Sequence, residues 1–477
     1  MVFSSQNFIF FFLPGVLIAY YLLPRRWGNA VLALASVVFY SYGGGTFVVL
    51  LLISAGADYL TGWMAGSARG KDEPGRVRAA VAISAFVNLS LLGYFKYANF
   101  FVDQFNAVFA ELGFGVSSWT DVVLPIGISF YTFQSMSYTI DVARGRVDPI
   151  RNPVDFLVYV SLFPQLIAGP IVRFHEISDE IRSRNTTADD FAEGVVRFAH
   201  GLFKKVVIAD AAALVVEPVF SLEAGELTSM VAWLGVAAYT IQIYFDFSGY
   251  SDMAIGLGRM FGFHFPENFR RPYSALSITD FWRRWHITLS NWFRDYLFVP
   301  LGGSRTTTVA TYRNLTVVFL LTGLWHGANW TFVIWGAYHG AFLVFERVTN
   351  QRPTGDDVPN SWLRRFYALL VVMVGWVLFR SDSLSQAGAF LRAMFTPAGL
   401  GLPPEVSTVL TTRVQLTLVI AFLVVLLPRD FVAGITLASG SERFAAAGRL
   451  GLLLFGLPYA LALVAAGTFS PFIYYQF

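Results

Sequence analysis

The feature that most constrains this chain is the recurrence of long apolar stretches. Runs of spanning or near-spanning length fall at about 6–24, 29–43, 46–66, 78–97, 121–142, 153–172, 191–219, 228–248, 315–345, 362–380, 412–428 and 449–468. A bilayer core takes roughly 20 residues at 1.5 Å rise each. Backbone groups find no water there, so each run must close its hydrogen bonds within itself. The 315–345 run is long enough for two spans, and several others are short or interrupted by Gly and Pro. The expected fold is an all-α polytopic membrane protein with about 11 to 13 transmembrane or re-entrant helices. Composition agrees: 55% of the residues are apolar and 14% charged, where a soluble domain carries roughly 25% charged residues. No period of 20 to 50 residues repeats, which disfavours an inverted-repeat transporter.

Net charge is +3, too small to argue for a nucleic acid partner. Position matters more. Arg25 and Arg26 follow the first run, a neutral GGG (43–45) the second, and Arg69, Lys71, Arg76 and Arg78 the third. This alternation puts the N-terminus outside and the 68–78 loop in the cytoplasm; beyond it the signal blurs. NFIFFFLPGVLIAYYLLP (7–24) lacks a preceding basic region and a small-residue cleavage site, so it reads as a span rather than a cleaved leader. The chain has no cysteine, which removes thiol nucleophiles, disulfides and thiolate metal sites. We expect one membrane-embedded domain over 1–477. Its polar middle, about 120–345, lies between scaffold flanks at 1–100 and 360–477, with TNQRPTGDDVPNSWL (349–363) as a loop.

That middle carries the chemistry. TGLWHGANWT (322–331) sets His326 in an apolar run, and an ionisable residue inside a membrane marks a functional site. Read as one helix over 323–340, His326, Asn329 and Trp330 share a face, and Gly323 and Gly327 leave an opening that Trp325 and Trp330 wall. His339 then lies roughly 20 Å further along and some 220° around, so it does not pair with His326, and a helix-to-helix hydrogen bond is its expected role. A histidine near its ordinary pKa suits general-base work on a hydroxyl. No spacing such as HExxH supports zinc, so no metal site is expected.

FWRRWHITLSNWFRDYL (281–297) reads at helical spacing as an aromatic face beside a stripe of Arg283, His286, Ser290 and Arg294, flanked by Arg284 and Asn291. It fits an interfacial or re-entrant helix bordering water; a basic helix lying on anionic lipid fits as well. The loop at 300–312 lets His286 approach His326. LPIGISFYTFQSMSYTIDVARG (124–145) holds Gln134 in an aromatic run. Asp246 and Asp252, in YFDFSGYSDMAIGLGRM, are expected to pair with Arg259, Arg270 or Arg271, with a proton relay as the alternative. HxxxD at His175 and Asp179 is a chance match, and GxGxxxG at 256–262 follows no strand. No GxSxG or Walker loop is present.

Together LPIGISFYTFQSMSYTID, FPQLIAGPI, FDFSGYSDMAIG, FWRRWHITLSNWFRDYLFVPLGG and TGLWHGANWTFVIWGAYHG resemble the membrane-bound O-acyltransferase family, in order over roughly 120–345. Within it the chain looks most like bacterial alginate-type O-acetyltransferases and, more distantly, teichoic acid D-alanyl transferases. The resemblance implies a ring of tilted helices around a thinned centre pierced by a tunnel. It implies His326 as the signature histidine and His286 as the second catalytic one. It further implies acetyl-CoA (or another acyl thioester) as donor substrate, no bound cofactor, and a bacterial inner membrane location. The acetyl group is expected to pass to a periplasmic SGNH-type partner that modifies an exported polysaccharide such as alginate. Arg283, Arg284, Arg294 and Asn291 are expected to meet the phosphate-rich donor, with Trp325, Asn329, Trp330, Gln134 and Asp246 lining or supporting the tunnel. A channel or transporter, or a lipid- or protein-directed acyltransferase of the same family, are the alternatives.

Overall fold

The computed structural model describes residues 1–114, 119–354, 361–397, 399–427, 442–467 and 472–473, and among them every regular element is helical. By length and composition five segments among the described residues can cross a membrane: Arg25–Gly70, Pro74–Glu111, Ser229–Met260, Trp362–Arg380 and Ala446–Ala465; Asn7–Leu22 and Thr412–Leu426 are apolar but shorter. The protein is a multi-pass, all-α membrane protein. Part of the expected 349–363 loop, residues 355–360, lies outside the described residues. The chain forms two compact units, Met1–Gly194 with Ala254–Pro266, and Val195–Met253 with Glu267–Phe477.

The first unit holds α1 (Leu13–Leu22), α2 (Gly28–Gly44), α3 (Val48–Gly70), α4 (Pro74–Glu111), α5 (Ile128–Ala143), α6 (Pro153–Ser161), α7 (Phe163–Leu166) and α8 (Phe174–Arg182). Gly45, at φ 55° and ψ −131°, divides α2 from α3 in a conformation only glycine adopts readily. The α3 helix packs on α4 and α5, and a fully buried carboxylate joins the three. Asp58 accepts from Asn88 Nδ2 at 2.6 Å and Thr139 Oγ1 at 2.9 Å, and from the Ser84 and Ser135 hydroxyls. Where lipid and side chains are equally apolar, such polar contacts and close packing hold helices together.

The apolar run at 121–142 is helical only from Ile128. Pro125 disfavours helix in the residue before it, and Gly127 sits at φ 75°. The 153–172 run breaks where Pro and Gly fall: α6 ends at Ser161, Leu162 leaves helical space, and α7 is a single turn.

Residues 188–220 form one helical run in which α9 (Ala188–Phe203) and α10 (Asp210–Phe220) are joined by a π-helical turn, Lys204–Ala209. After α11 (Ser229–Met260) the second unit continues with α12 (Ile278–Arg284), α13 (Ile287–Phe293), α14 (Thr308–His326), α15 (Trp330–Val348) and α16 (Trp362–Arg380).

Two sequence expectations change here. First, 281–297 is not one helix. Trp285 is extended and His286 left-handed, at φ 44° and ψ 54°. The cause lies upstream: Arg270 N–H donates to Arg284 O at 2.9 Å, and Ile287 N–H to Asn268 O at 3.0 Å. Those groups are then not available to a continuous helix, so Arg283, His286, Ser290 and Arg294 share no helical stripe.

Second, 323–340 is not one helix either. The 315–345 run resolves into a tight hairpin of α14 and α15, turned by Gly327–Asn329. Asn329 is the N-cap of α15 and accepts from Thr331 N–H at 3.0 Å. A Cβ on Gly323 would strike the carbonyl of Phe332, and one on Gly336 the carbonyl of Phe319. The two glycines bring the helix backbones into contact.

Candidate functional site

His326 ends α14 with 3% of its surface exposed. Its ring centroid lies 4.9 Å from that of Trp325, 5.1 Å from Trp335 and 5.1 Å from Phe379 on α16. Trp330, expected as a wall, is 49% exposed; Trp335 takes that place because the hairpin folds α15 back along α14. Gly323 and Gly327 leave no opening. The position of a Gly327 Cβ is filled by the Phe332 ring, so the glycines serve close packing. Asn329 directs its amide to Asp382 O at 2.8 Å.

His286 is fully buried. Its Nδ1 is 3.1 Å from Asn268 Oδ1, which also accepts Thr288 N–H at 3.3 Å and Thr288 Oγ1 at 2.9 Å. The Thr288 N–H can only donate, which identifies the Asn268 atom as the oxygen. Nδ1 therefore carries the proton in the neutral ring, and Nε2 carries the lone pair. Phe247 stands perpendicular to the ring at 4.7 Å and Trp325 at 6.0 Å. The two histidines singled out by sequence thus pack against one indole, Trp325. A left-handed backbone in a non-glycine residue stores strain, and such strain clusters at functional sites.

His339 is not displaced along a common helix from His326. The hairpin sets Trp335 5.1 Å from each of them. The expected helix-to-helix hydrogen bond is missing: among the described residues neither His339 nitrogen has a hydrogen-bond partner. Trp282, Trp335 and Tyr338 enclose it at 5.3, 5.1 and 5.4 Å.

The expected donor residues do not converge. Arg283 Nη1 donates to Thr354 Oγ1 at 3.0 Å, Arg284 pairs with Asp280 at 3.0 Å, and Arg294, largely exposed, pairs with the adjacent Asp295 at 2.7 Å. Asn291 is half-buried on α13. Gln134 belongs to the first unit, where its amide donates to Tyr159 O at 2.6 Å. His175 pairs with Asp141 at 2.8 Å, not with Asp179.

Asp246 and Asp252 are ion-paired as expected, but with other partners. Lys205 Nζ lies 2.7 Å from both Asp246 and Asp210. Asp252 meets Arg197 at 2.7 Å, Lys204 at 2.7 Å and His200 Nδ1 at 3.2 Å. Arg259 pairs with Glu193, and Arg271 donates to Leu427 O at 3.1 Å. Arg197, His200, Lys204 and Lys205 are functional-site neighbours beyond the residues expected from sequence. The signal was there: RFAHGLFKK places 197, 200 and 204 on one helical face. His200 and Lys204 border a cavity of about 840 Å³ with apolar walls, together with Tyr244, Arg271, Phe455 and Tyr459. A large apolar pocket with a few convergent polar groups is where ligands bind by default. Tyr244 lies 6.2 Å from Phe269, whose ring stacks on His286.

The sequence profile of the membrane-bound O-acyltransferase family matches residues 140–379, which include both histidines. The chain is similar to the probable alginate O-acetylase of Azotobacter vinelandii, 45% identical with all of both chains covered. It is also similar to the probable alginate O-acetylase of Pseudomonas aeruginosa, 48% identical over 89% of this chain and 80% of that one. A peptidoglycan O-acetyltransferase of Helicobacter pylori is 37% identical over 84% of this chain and 81% of its own length.

Proposed function

Because the chain belongs to the membrane-bound O-acyltransferase family and is a multi-pass membrane O-acyltransferase, we propose that it moves an acetyl group across a bacterial inner membrane. The donor is a cytoplasmic thioester, acetyl-CoA. The destination is the hydroxyl groups of an exported polysaccharide of the alginate kind, reached through a periplasmic SGNH-type partner. Relatives named for acetylating alginate and peptidoglycan support a saccharide hydroxyl as final acceptor. The observation that carries the chemistry is the packing of His286 and His326 against the same Trp325.

The residues divide the work as follows. His326 takes the proton of the acceptor hydroxyl as its oxygen bonds to the thioester carbonyl carbon. The carbon–sulfur bond breaks, and the departing thiolate takes the proton back from the imidazolium. His286, its Nδ1–H fixed on Asn268, offers Nε2 to hold or polarise the reacting groups. General-base catalysis of this kind contributes roughly 10²- to 10⁴-fold.

The test is transfer from labelled acetyl-CoA by purified protein, with and without a candidate partner and polysaccharide. His326→Ala is expected to lower transfer by roughly 10² or more while the protein stays monodisperse. Near-full transfer by that variant makes His326 structural and removes the mechanism. Acetyl-CoA that yields no product while another acyl thioester does reassigns the donor.

A further inference from the structure

The first unit holds a cleft far in sequence from His286 and His326 and different from them in chemistry. The cleft, of about 800 Å³, is lined by Arg25, Arg26 and Trp27 from the α1–α2 turn, and by Arg182, Arg184 and Asp155. Arg184 is engaged in the fold: its Nη1 donates to Asn29 Oδ1 at 2.6 Å and its Nε to Tyr20 OH at 2.9 Å. Asp155, the one carboxylate in the lining among the described residues, accepts from Asn29 Nδ2 at 2.7 Å. Arg25, Arg26 and Arg182 have no acidic partner among the described residues and are exposed. Three unneutralised guanidinium groups around one cleft repel one another, an arrangement that a bound anion relieves.

The surroundings say what kind of anion. Arg25 and Arg26 follow directly on the apolar α1, and Leu22, Leu23 and Trp27 beside them are exposed at 80%, 47% and 52%. Exposed leucine and tryptophan next to arginine mark the level of the headgroups, where aromatic rings sit half in hydrocarbon and half in water. The charge distribution places the α1–α2 turn on the cytoplasmic side, where anionic lipid is recognised by basic pockets between helices. A soluble phosphate needs no apolar flank; a phospholipid does.

We propose that the Arg25, Arg26 and Arg182 cleft is a binding site for the phosphorylated headgroup of an anionic phospholipid. The lipid holds the α1–α2 turn against the segment after α8, joining parts of the first unit far apart in sequence. Its acyl chains lie along the exposed Leu22–Leu23 edge.

The experiment compares full-length wild type with Arg25→Gln/Arg26→Gln/Arg182→Gln, both purified in mild detergent, for retention of cardiolipin added to zwitterionic lipid, read by native mass spectrometry. Each arginine near anionic lipid is worth about five-fold in affinity, so the triple variant is expected to lose about a hundred-fold. The triple lysine variant, which keeps the charge, is expected to retain binding. Lys71→Gln, on the same face but outside the cleft lining, is expected to change nothing. Should the triple variant fail to fold, Arg25→Gln and Arg182→Gln singly read the same effect at about five-fold each. Equal retention by wild type and variants, or an equal loss from Lys71→Gln, overturns the site. Displacement of cardiolipin by soluble coenzyme A, a phosphate source with no acyl tails in the bilayer, assigns the cleft to a nucleotide and overturns the lipid assignment.

Discussion

Replacing His339 by leucine separates a histidine that packs from one that reacts. The His339 imidazole is fully buried and neither nitrogen finds a hydrogen-bond partner among the described residues. A buried polar group left unsatisfied costs about 1–3 kcal/mol. Here part of that is recovered, because the ring stands nearly perpendicular to Trp282, at 89°, and an N–H can point to an indole face. Leucine has nearly the same volume, and volume-conserving swaps cost less than about 1.5 kcal/mol. The net change for His339→Leu therefore runs from neutral to a gain of about 2 kcal/mol. His339→Ala gains the same relief but opens a cavity among Trp282, Trp335 and Tyr338, and large-to-alanine changes lose about 2–5 kcal/mol. The expected order of stability is leucine at or above wild type, with alanine below both. Thermal unfolding of the detergent-solubilised protein gives the order, and acetyl transfer by the same samples gives the role. His339→Leu is expected to keep transfer within a few-fold. A folded His339→Leu protein that loses transfer as His326→Ala does would show that His339 takes part in the reaction, and one that melts with His339→Ala would refute the argument from the orphaned nitrogens.

Three further outcomes are expected. Gly336→Ala places a Cβ on the Phe319 carbonyl and is expected to lose about 1–3 kcal/mol despite alanine's helix propensity advantage of about 1 kcal/mol. Gly56→Ala, with nothing within 4 Å, is expected to be neutral or stabilising; matching melting temperatures would refute the close-packing role of the α14–α15 glycines. Asp252→Asn removes the carboxylate from Lys204 and leaves Arg197 with Glu267 as its acidic partner, and is expected to cost about 3 kcal/mol; adding Lys204→Met is expected to recover part of it, and strict additivity in the double-mutant cycle would argue that the pair is not coupled. In this cysteine-free chain, Lys71→Cys is expected to resist an impermeant thiol reagent in intact cells while Thr46→Cys labels readily, the reverse pattern inverting the topology.

Local sequence carried the class of the protein and singled out His286 and His326 as candidates. Hydropathy reports the medium each stretch faces, and the medium decides that the backbone must be helical; the helix at Trp362–Arg380 matches its apolar run end to end. A histidine is legible as a candidate wherever it lies, because its chemistry is intrinsic and its presence in an apolar run is costly. Glycine and proline also act locally, so the break after Ser161 was readable.

Tertiary structure decided everything that depends on a distant partner. Helical periodicity over 281–297 was real, yet the backbone broke at His286 because Asn268 and Arg270 took its hydrogen bonds. Gly323 and Gly327 read as an opening and proved to be contacts, since a glycine shows that space is needed but not what fills it. Asp246 and Asp252 needed cations, but which cations followed from how the α9–α10 run packs against α11. The pairing of His286 with His326 across Trp325, and of Arg25 and Arg26 with Arg182 around one cleft, follows the same rule. A residue's own chemistry states what it requires, while chain folding over tens to hundreds of residues determines what supplies it.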